Sequence, residues 1–145
     1  MENDLTRVMA LDIGTKRIGV ALSDPLKLFA SQKFLVLNGK NPENAVNDII
    51  KIAQDNNVSK IVFGLPCHMN GDEGEMVKYV REFAQHFNNY SYTIDFIDER
   101  LTSSQAEDIL KKKKVKYSKN KGLVYQTSAC LILESYLNQY GKGNK

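Results

Sequence analysis

The stretch Ala10 to Pro25, ALDIGTKRIGVALSDP, decides how the rest of the chain is read. The apolar run Val8-Met9-Ala10-Leu11 ends in the carboxylate of Asp12. A turn signal, Ile13-Gly14-Thr15-Lys16, follows, and then a second apolar run, Ile18-Gly19-Val20-Ala21-Leu22. Two short apolar runs around a glycine turn predict a β-hairpin with Asp12 at the tip of a buried strand. An unpaired carboxylate is costly to desolvate, so its pKa rises or a partner compensates it. A cation is the natural partner.

Downstream of the hairpin, Leu28 to Leu37 predicts a third strand ended by Asn38-Gly39. Asn41-Pro42 reads as N-cap and first helical residue. Ala45, Val46, Ile49, Ile50 and Ala53 then form one stripe of an amphipathic helix that Asn56-Asn57 stops. Val58 to Leu65 is a nearly continuous apolar run, the pattern of a strand covered on both faces. A polar turn at His68 to Glu75 precedes a second helix marked by Met76, Val80, Phe83, Ala84 and Phe87. Tyr92 to Ile97 predicts a fifth strand running into Asp98-Glu99-Arg100. Thr102 and Gln105 form a capping-box pattern for a third helix with Ala106, Ile109 and Leu110. Ala129, Ile132, Leu133, Tyr136, Leu137 and Tyr140 line one face of a last helix.

The order β-β-β-α-β-α-β-α-α predicts an α/β fold: a five-stranded mixed sheet flanked by about four helices. In it the first three strands form a meander. Right-handed crossovers lay the fourth and fifth strands parallel to the first, so Asp12, the Gly64-Leu65-Pro66 turn and Asp98-Glu99 should share one sheet edge.

A chain of 145 residues fits a single domain, 1–145, that buries about two-thirds of its unfolded surface. With 42% hydrophobic and 26% charged residues and no apolar run near the roughly 20 needed to span a bilayer, the expectation is a cytoplasmic protein with no membrane partner. The start, MENDLTR, has no apolar segment of a secretory signal behind it. Cys67 and Cys130 fit no disulfide or zinc spacing; Cys67-His68 lacks a second ligand pair, and Cys130 falls in a helical apolar pattern as a small core residue. The net charge of +3 conceals an asymmetry: residues 1–108 carry 11 Lys/Arg against 16 Asp/Glu, and residues 109–145 carry nine lysines against one acid, Glu134. Seven of those lysines fall between Lys111 and Lys121, among them Lys111, Lys112, Lys113, Lys114 and Lys116. Such density suits a polyanion, although taken alone the segment at 111–121 reads first as a mobile, solvated surface loop.

Acids gathered at one sheet edge, with no serine or histidine nucleophile arrangement, suit hard divalent cations such as Mg²⁺ or Mn²⁺. A pair of such ions about 4 Å apart can activate water and stabilise both oxygens of a phosphodiester displacement. Gly14 would let a phosphate approach the turn, with Thr15, Lys16 and Arg17 as donors. By spacing alone the bland alternative is as good: Asp-x-Gly is ordinary turn chemistry, and acids before an arginine form surface ion pairs.

The blocks Arg7 to Pro25, Ile61 to Gly74 (IVFGLPCHMNGDEG), Ile97 to Glu107 (IDERLTSSQAE) and Ala129 to Leu137 (ACLILESYL) together resemble the YqgF family. These are small bacterial proteins of RNase H-like fold, related to RuvC- and RuvX-type Holliday-junction resolvases and described as pre-16S rRNA nucleases. The resemblance implies a metal-dependent nuclease acting on precursor rRNA or branched DNA, with ribosomal particles as further partners, as a monomer or weak homodimer. It implies Asp12 as the first catalytic carboxylate and Glu99 as the second, both metal ligands, with Asp98 assisting. Strand alternation allows only one of Asp98 and Glu99 on the Asp12 face. Arg100 is implied as a phosphate contact. The third carboxylate of the family pattern Val-Asp-x-x-x-Ala falls on Tyr125, a departure, since a phenol of pKa near 10 is a poor Mg²⁺ ligand. Glu134, nine residues on and about 13 Å along a helix axis, is no simple substitute.

Two other classes compete. Actin-like ATPases and sugar kinases share a Leu-Asp-x-Gly-Thr hairpin but hold nucleotide between two such domains, whereas this chain has residues for one. A nucleic-acid or ribosome-associated binding protein with an impaired centre is the non-enzymatic alternative, on account of Tyr125.

Overall fold

The computed structural model describes residues 5–66, 74–98, 106, 108–109, 111–112 and 120–141. In chain order these form β1 (Arg7–Ile13), β2 (Arg17–Ser23), β3 (Ala30–Leu37), α1 (Pro42–Asp55), β4 (Val58–Leu65), α2 (Glu75–Gln85), β5 (Thr93–Asp98) and α3 (Lys121–Tyr136), followed by a π turn at Leu137–Gly141. Between β5 and α3 the described backbone at 106, 108–109 and 111–112 is helical, and Ala106 is buried. The polar turn expected at 68–75 and the capping box at Thr102 and Gln105 lie largely outside the described residues, as do Cys67 and His68.

The sheet order is β3-β2-β1-β4-β5. β1 pairs antiparallel with β2 and parallel with β4; β2 pairs antiparallel with β3, and β4 parallel with β5. The meander and the parallel placement of β4 and β5 beside β1 are therefore as expected. β3 starts at Ala30 rather than Leu28 because the Asp24 carboxylate takes the preceding amides. Its oxygens accept from Leu26 N–H at 3.0 Å, Leu28 N–H at 2.8 Å and Phe29 N–H at 2.9 Å, which bends the chain before it can extend.

The pleat divides the core in two. Met9, Leu11, Ile18, Val20, Ile61 and Phe63 face α1 and α2, whose Ile49, Ile50, Val80 and Phe83 cover them. Met76, expected in that stripe, is half-buried, and its neighbour Val77 is the buried residue. Val8, Ala10, Ala21, Val62 and Ile97 face α3 and meet Ala129, Ile132, Leu133 and Tyr136. Cys130 is half-buried at the rim of this second layer rather than in its core. Asn41 caps α1 by accepting from Glu43 N–H at 3.1 Å, and Asn57 takes a left-handed φ of 56° that asparagine tolerates, ending α1 and admitting β4. Among the described residues no helix is long and apolar enough to cross a membrane.

Candidate active site

Three parallel strands bring their carboxyl ends to one sheet edge: Asp12 in β1, Leu65-Pro66 at the end of β4 and Asp98 closing β5. The start of β2 and the end of β3 reach the same edge, where Arg17 pairs with Leu37. Asp12 pairs with Gly19 across the hairpin and follows Val8 and Ala10 on the face covered by α3. Asp98 follows Ile94 and Phe96, which pack against the α1/α2 layer. The same period-2 alternation puts Asp98 on the face opposite Asp12, in keeping with the expectation that only one of Asp98 and Glu99 shares the Asp12 face. Glu99 and Arg100 lie outside the described residues.

What meets Asp12 comes from the first half of α3. A Cβ on Gly19 would overlap the Tyr125 carbonyl, so the helix backbone passes directly over this strand position. One turn of helix from Tyr125, Ser128 is fully buried. Its hydroxyl makes no hydrogen bond of ordinary geometry among the described residues, yet it is near enough to act on Asp12. Burial pushes the Asp12 carboxyl up to about 6, and the Ser128 hydroxyl draws it partly back. The carboxylate remains short of compensation, as the hairpin reading anticipated; it makes no ion pair among the described residues.

Tyr125 occupies the space above the turn. A Cβ on Gly14 would come within 2.7 Å of both Cε1 and the hydroxyl oxygen of Tyr125. The missing side chain at Gly14 makes room for the phenol. Burial pushes the Tyr125 hydroxyl pKa up, the Asp12 charge pushes it further, and Arg17 acts in the opposite sense. Tyr125 is therefore a neutral group in the electrostatic reach of Asp12 and Arg17. Thr15 and Lys16 are exposed on the turn and Arg17 is half-buried beside it. Glu134 is exposed farther along α3.

Of the basic segment, Lys111 and Lys112 are exposed on helical backbone and Lys121 opens α3, whereas Lys113, Lys114 and Lys116 lie outside the described residues. Among the described residues no three His, Cys, Asp or Glu side chains gather around one point. The groups in electrostatic reach of the Asp12 carboxylate are the hydroxyls of Tyr125 and Ser128, of which the neutral phenol is a poor ligand for a hard cation. Ser128 was detectable in the sequence as a polar residue inside the apolar stripe of the last helix. Asn38 and Tyr79, which hold the turn below Asp12, gave no such signal: one reads as a strand terminator and the other as half-buried helix.

A family model described as "RuvX: Holliday junction resolvase" matches residues 6–139. The chain belongs to the RuvX family. Curated RuvX relatives carry the name "Putative pre-16S rRNA nuclease". One from Sulfurihydrogenibium sp. (strain YO3AOP1) is 40% identical over 144 residues, spanning 97% of this chain and 96% of that protein. One from Endomicrobium trichonymphae is 40% identical over 136 residues, spanning 92% and 96%. Among solved structures, "T. thermophilus RuvC in complex with Holliday junction substrate" superposes with a TM-score of 0.54 at 11% identity, covering 94% of this chain and 96% of that one. At that identity the likeness concerns the fold alone, which is RNase H-like.

Proposed function

We propose that this RuvX protein is a divalent-metal-dependent endonuclease that hydrolyses phosphodiester bonds in structured nucleic acid, foremost in 5′-end processing of pre-16S rRNA in the cytoplasm. Branched DNA is the alternative substrate. The reading is carried by Asp12, a half-buried, under-compensated carboxylate at the edge where three parallel strands end. The names of the curated relatives support the reaction class. Asp12 and, by family resemblance, Glu99 would hold Mg²⁺ or Mn²⁺. Such an ion supplies charge stabilisation at phosphorus and lowers the pKa of attacking water. With a pKa of about 6, Asp12 is mostly ionised at neutral pH and available to a cation. Lys16 and Arg17, on the turn beside it, suit charge-assisted bonds to the substrate phosphate. The exposed Lys111 and Lys112 would add sequence-independent attraction for the polyanion, and ribosomal particles would present the substrate to a monomer or weak homodimer.

A second reading, a nucleic-acid or ribosome-associated binding protein of impaired activity, is favoured by one observation. The Tyr125 phenol stands over Gly14, in the reach of Asp12, where the family pattern has a carboxylate. Cleavage of a labelled precursor rRNA and of a four-way junction with Mg²⁺ or Mn²⁺ separates the two. On the nuclease reading Asp12→Asn lowers cleavage by about 100-fold or more, and Tyr125→Asp raises it in Mg²⁺. Binding of both substrates without any Asp12-dependent cleavage establishes the binding protein instead.

A further inference from the structure

The turn that follows Asp12, between β1 and β2, is short. Gly14 N–H closes it by donating to the Arg17 carbonyl at 2.9 Å. The carbonyls of Gly14 and Lys16 both accept from a single residue far away in sequence, Asn38, just beyond β3. Asn38 N–H donates to Lys16 at 2.9 Å, and its side-chain Nδ2 donates to Gly14 at 2.9 Å. The second Nδ2 hydrogen goes to the Tyr79 hydroxyl oxygen of α2 at 2.8 Å, and Oδ1 accepts from Gly39 N–H at 3.0 Å. Both Nδ2 hydrogens are therefore used within the protein, and one of the two acceptor sites of Oδ1.

We propose that Asn38, seated by the Tyr79 hydroxyl, is a positioning residue that fixes the Gly14–Lys16 turn and through it the relation of Asp12, Arg17 and Tyr125. The half-buried Tyr79 ring packs against Phe83 with centroids 6.3 Å apart, which ties its hydroxyl to the large core layer. The turn is thereby tied to β3 and α2 at once, while its outer residues Thr15 and Lys16 remain exposed to a substrate. Asparagine is specified chemically. Aspartate of the same size has no N–H to give either Gly14 or Tyr79, and alanine has neither donor nor acceptor. Because Gly14 is the floor under the Tyr125 ring and lies two residues from Asp12, a displacement of about 1 Å there reaches the reacting groups directly, and shifts of that size cost up to about 10²-fold in rate.

The catalytic arm of the test rests on the nuclease reading; an exchange arm does not. Tyr79→Phe deletes one hydroxyl and leaves the packing ring, and Asn38→Ala deletes the side-chain bonds to Gly14 and Tyr79 while keeping the backbone bond to Lys16. The expected result is a fall in kcat of about tenfold for Tyr79→Phe and about 30-fold or more for Asn38→Ala and Asn38→Asp, with KM within about twofold. The double variant should be no worse than Asn38→Ala, because Tyr79 acts only through Asn38. By hydrogen exchange the Gly14 amide should open about tenfold faster in both single variants, with the Leu11 and Val20 amides unchanged. Unchanged Gly14 exchange overturns the proposal. So does unchanged kcat in Asn38→Ala, or an additive double variant, since both indicate two independent structural contacts. If the unaltered protein cleaves neither substrate, the nuclease reading falls and Gly14 exchange alone decides whether Asn38 holds the turn.

Discussion

The two faces of the sheet are built differently. Toward α1 and α2 the buried side chains are all apolar and include an aromatic group in which Phe63 meets Phe87 edge-on at 5.6 Å and Phe96 at 5.7 Å. Toward α3 the layer is thinner and mixed with polar groups. Ser128 is buried there, and the Tyr136 hydroxyl donates to Asp95 Oδ2 at 2.7 Å while accepting from Lys60 Nζ at 2.8 Å. On this side the helix backbone comes down onto Gly19 instead of standing off on large side chains. The difference shows a division of labour: one face supplies burial, and the other gives up burial to bring hydroxyls and a helix backbone against Asp12.

Four measurements would break or sharpen that contrast. Phe63→Ala should cost about 4 kcal/mol in chemical denaturation, the largest loss, because it removes the centre of the aromatic group from a layer that cannot collapse around it. A cost below about 1 kcal/mol would show that the α1/α2 face is not the main source of stability. Gly19→Ala should cost about 3 kcal/mol through overlap with the Tyr125 backbone, and should also shift the aromatic signals of Tyr125 as α3 lifts.

The third measurement concerns pH. The folded-state pKa of Asp12, about 6, lies above its unfolded value, so the folded protein binds this proton more tightly. In metal-free protein the Asp12 contribution is therefore most favourable below about pH 4. It is lost as pH rises to about 6, by up to about 3 kcal/mol, and is flat above that. Asp12→Asn should abolish this slope, and Mg²⁺ should raise the melting temperature at pH 7 in the unaltered protein but not in the variant. A slope that persists in Asp12→Asn would assign the effect to another group. Tyr136→Phe has the smallest expected effect, about 1–2 kcal/mol, from leaving Asp95 and Lys60 without their shared hydroxyl. No change would mean that both groups reach water there.

Much of the fold was legible because its signals are local. Asn41-Pro42 opens α1 and Asn56-Asn57 closes it, β4 spans Val58–Leu65 as its apolar run indicates, and the alternation of strands and helices fixes the crossovers. Asp12 was equally visible, as a charge at the end of an apolar run. The errors came where a side chain redirects the backbone or a partner is distant in sequence. Asp24 captured the amides that would have begun β3 two residues earlier, and Val77 displaced Met76 from the core by a shift of one helical position.

By itself, then, the sequence determined the hairpin, the sheet order and the presence of a carboxylate at the end of a buried strand, because hydrophobic periodicity and turn chemistry are properties of neighbouring residues. Only the tertiary structure decided which groups stand around that carboxylate. The pleat of β5 carried Asp98 to the far face, the approach of α3 over Gly19 brought Ser128 and Tyr125 to Asp12, and hydrogen bonds to Asn38 fixed the turn between them. Those juxtapositions depend on how helices lie across a sheet, and packing between residues tens of positions apart sets that geometry.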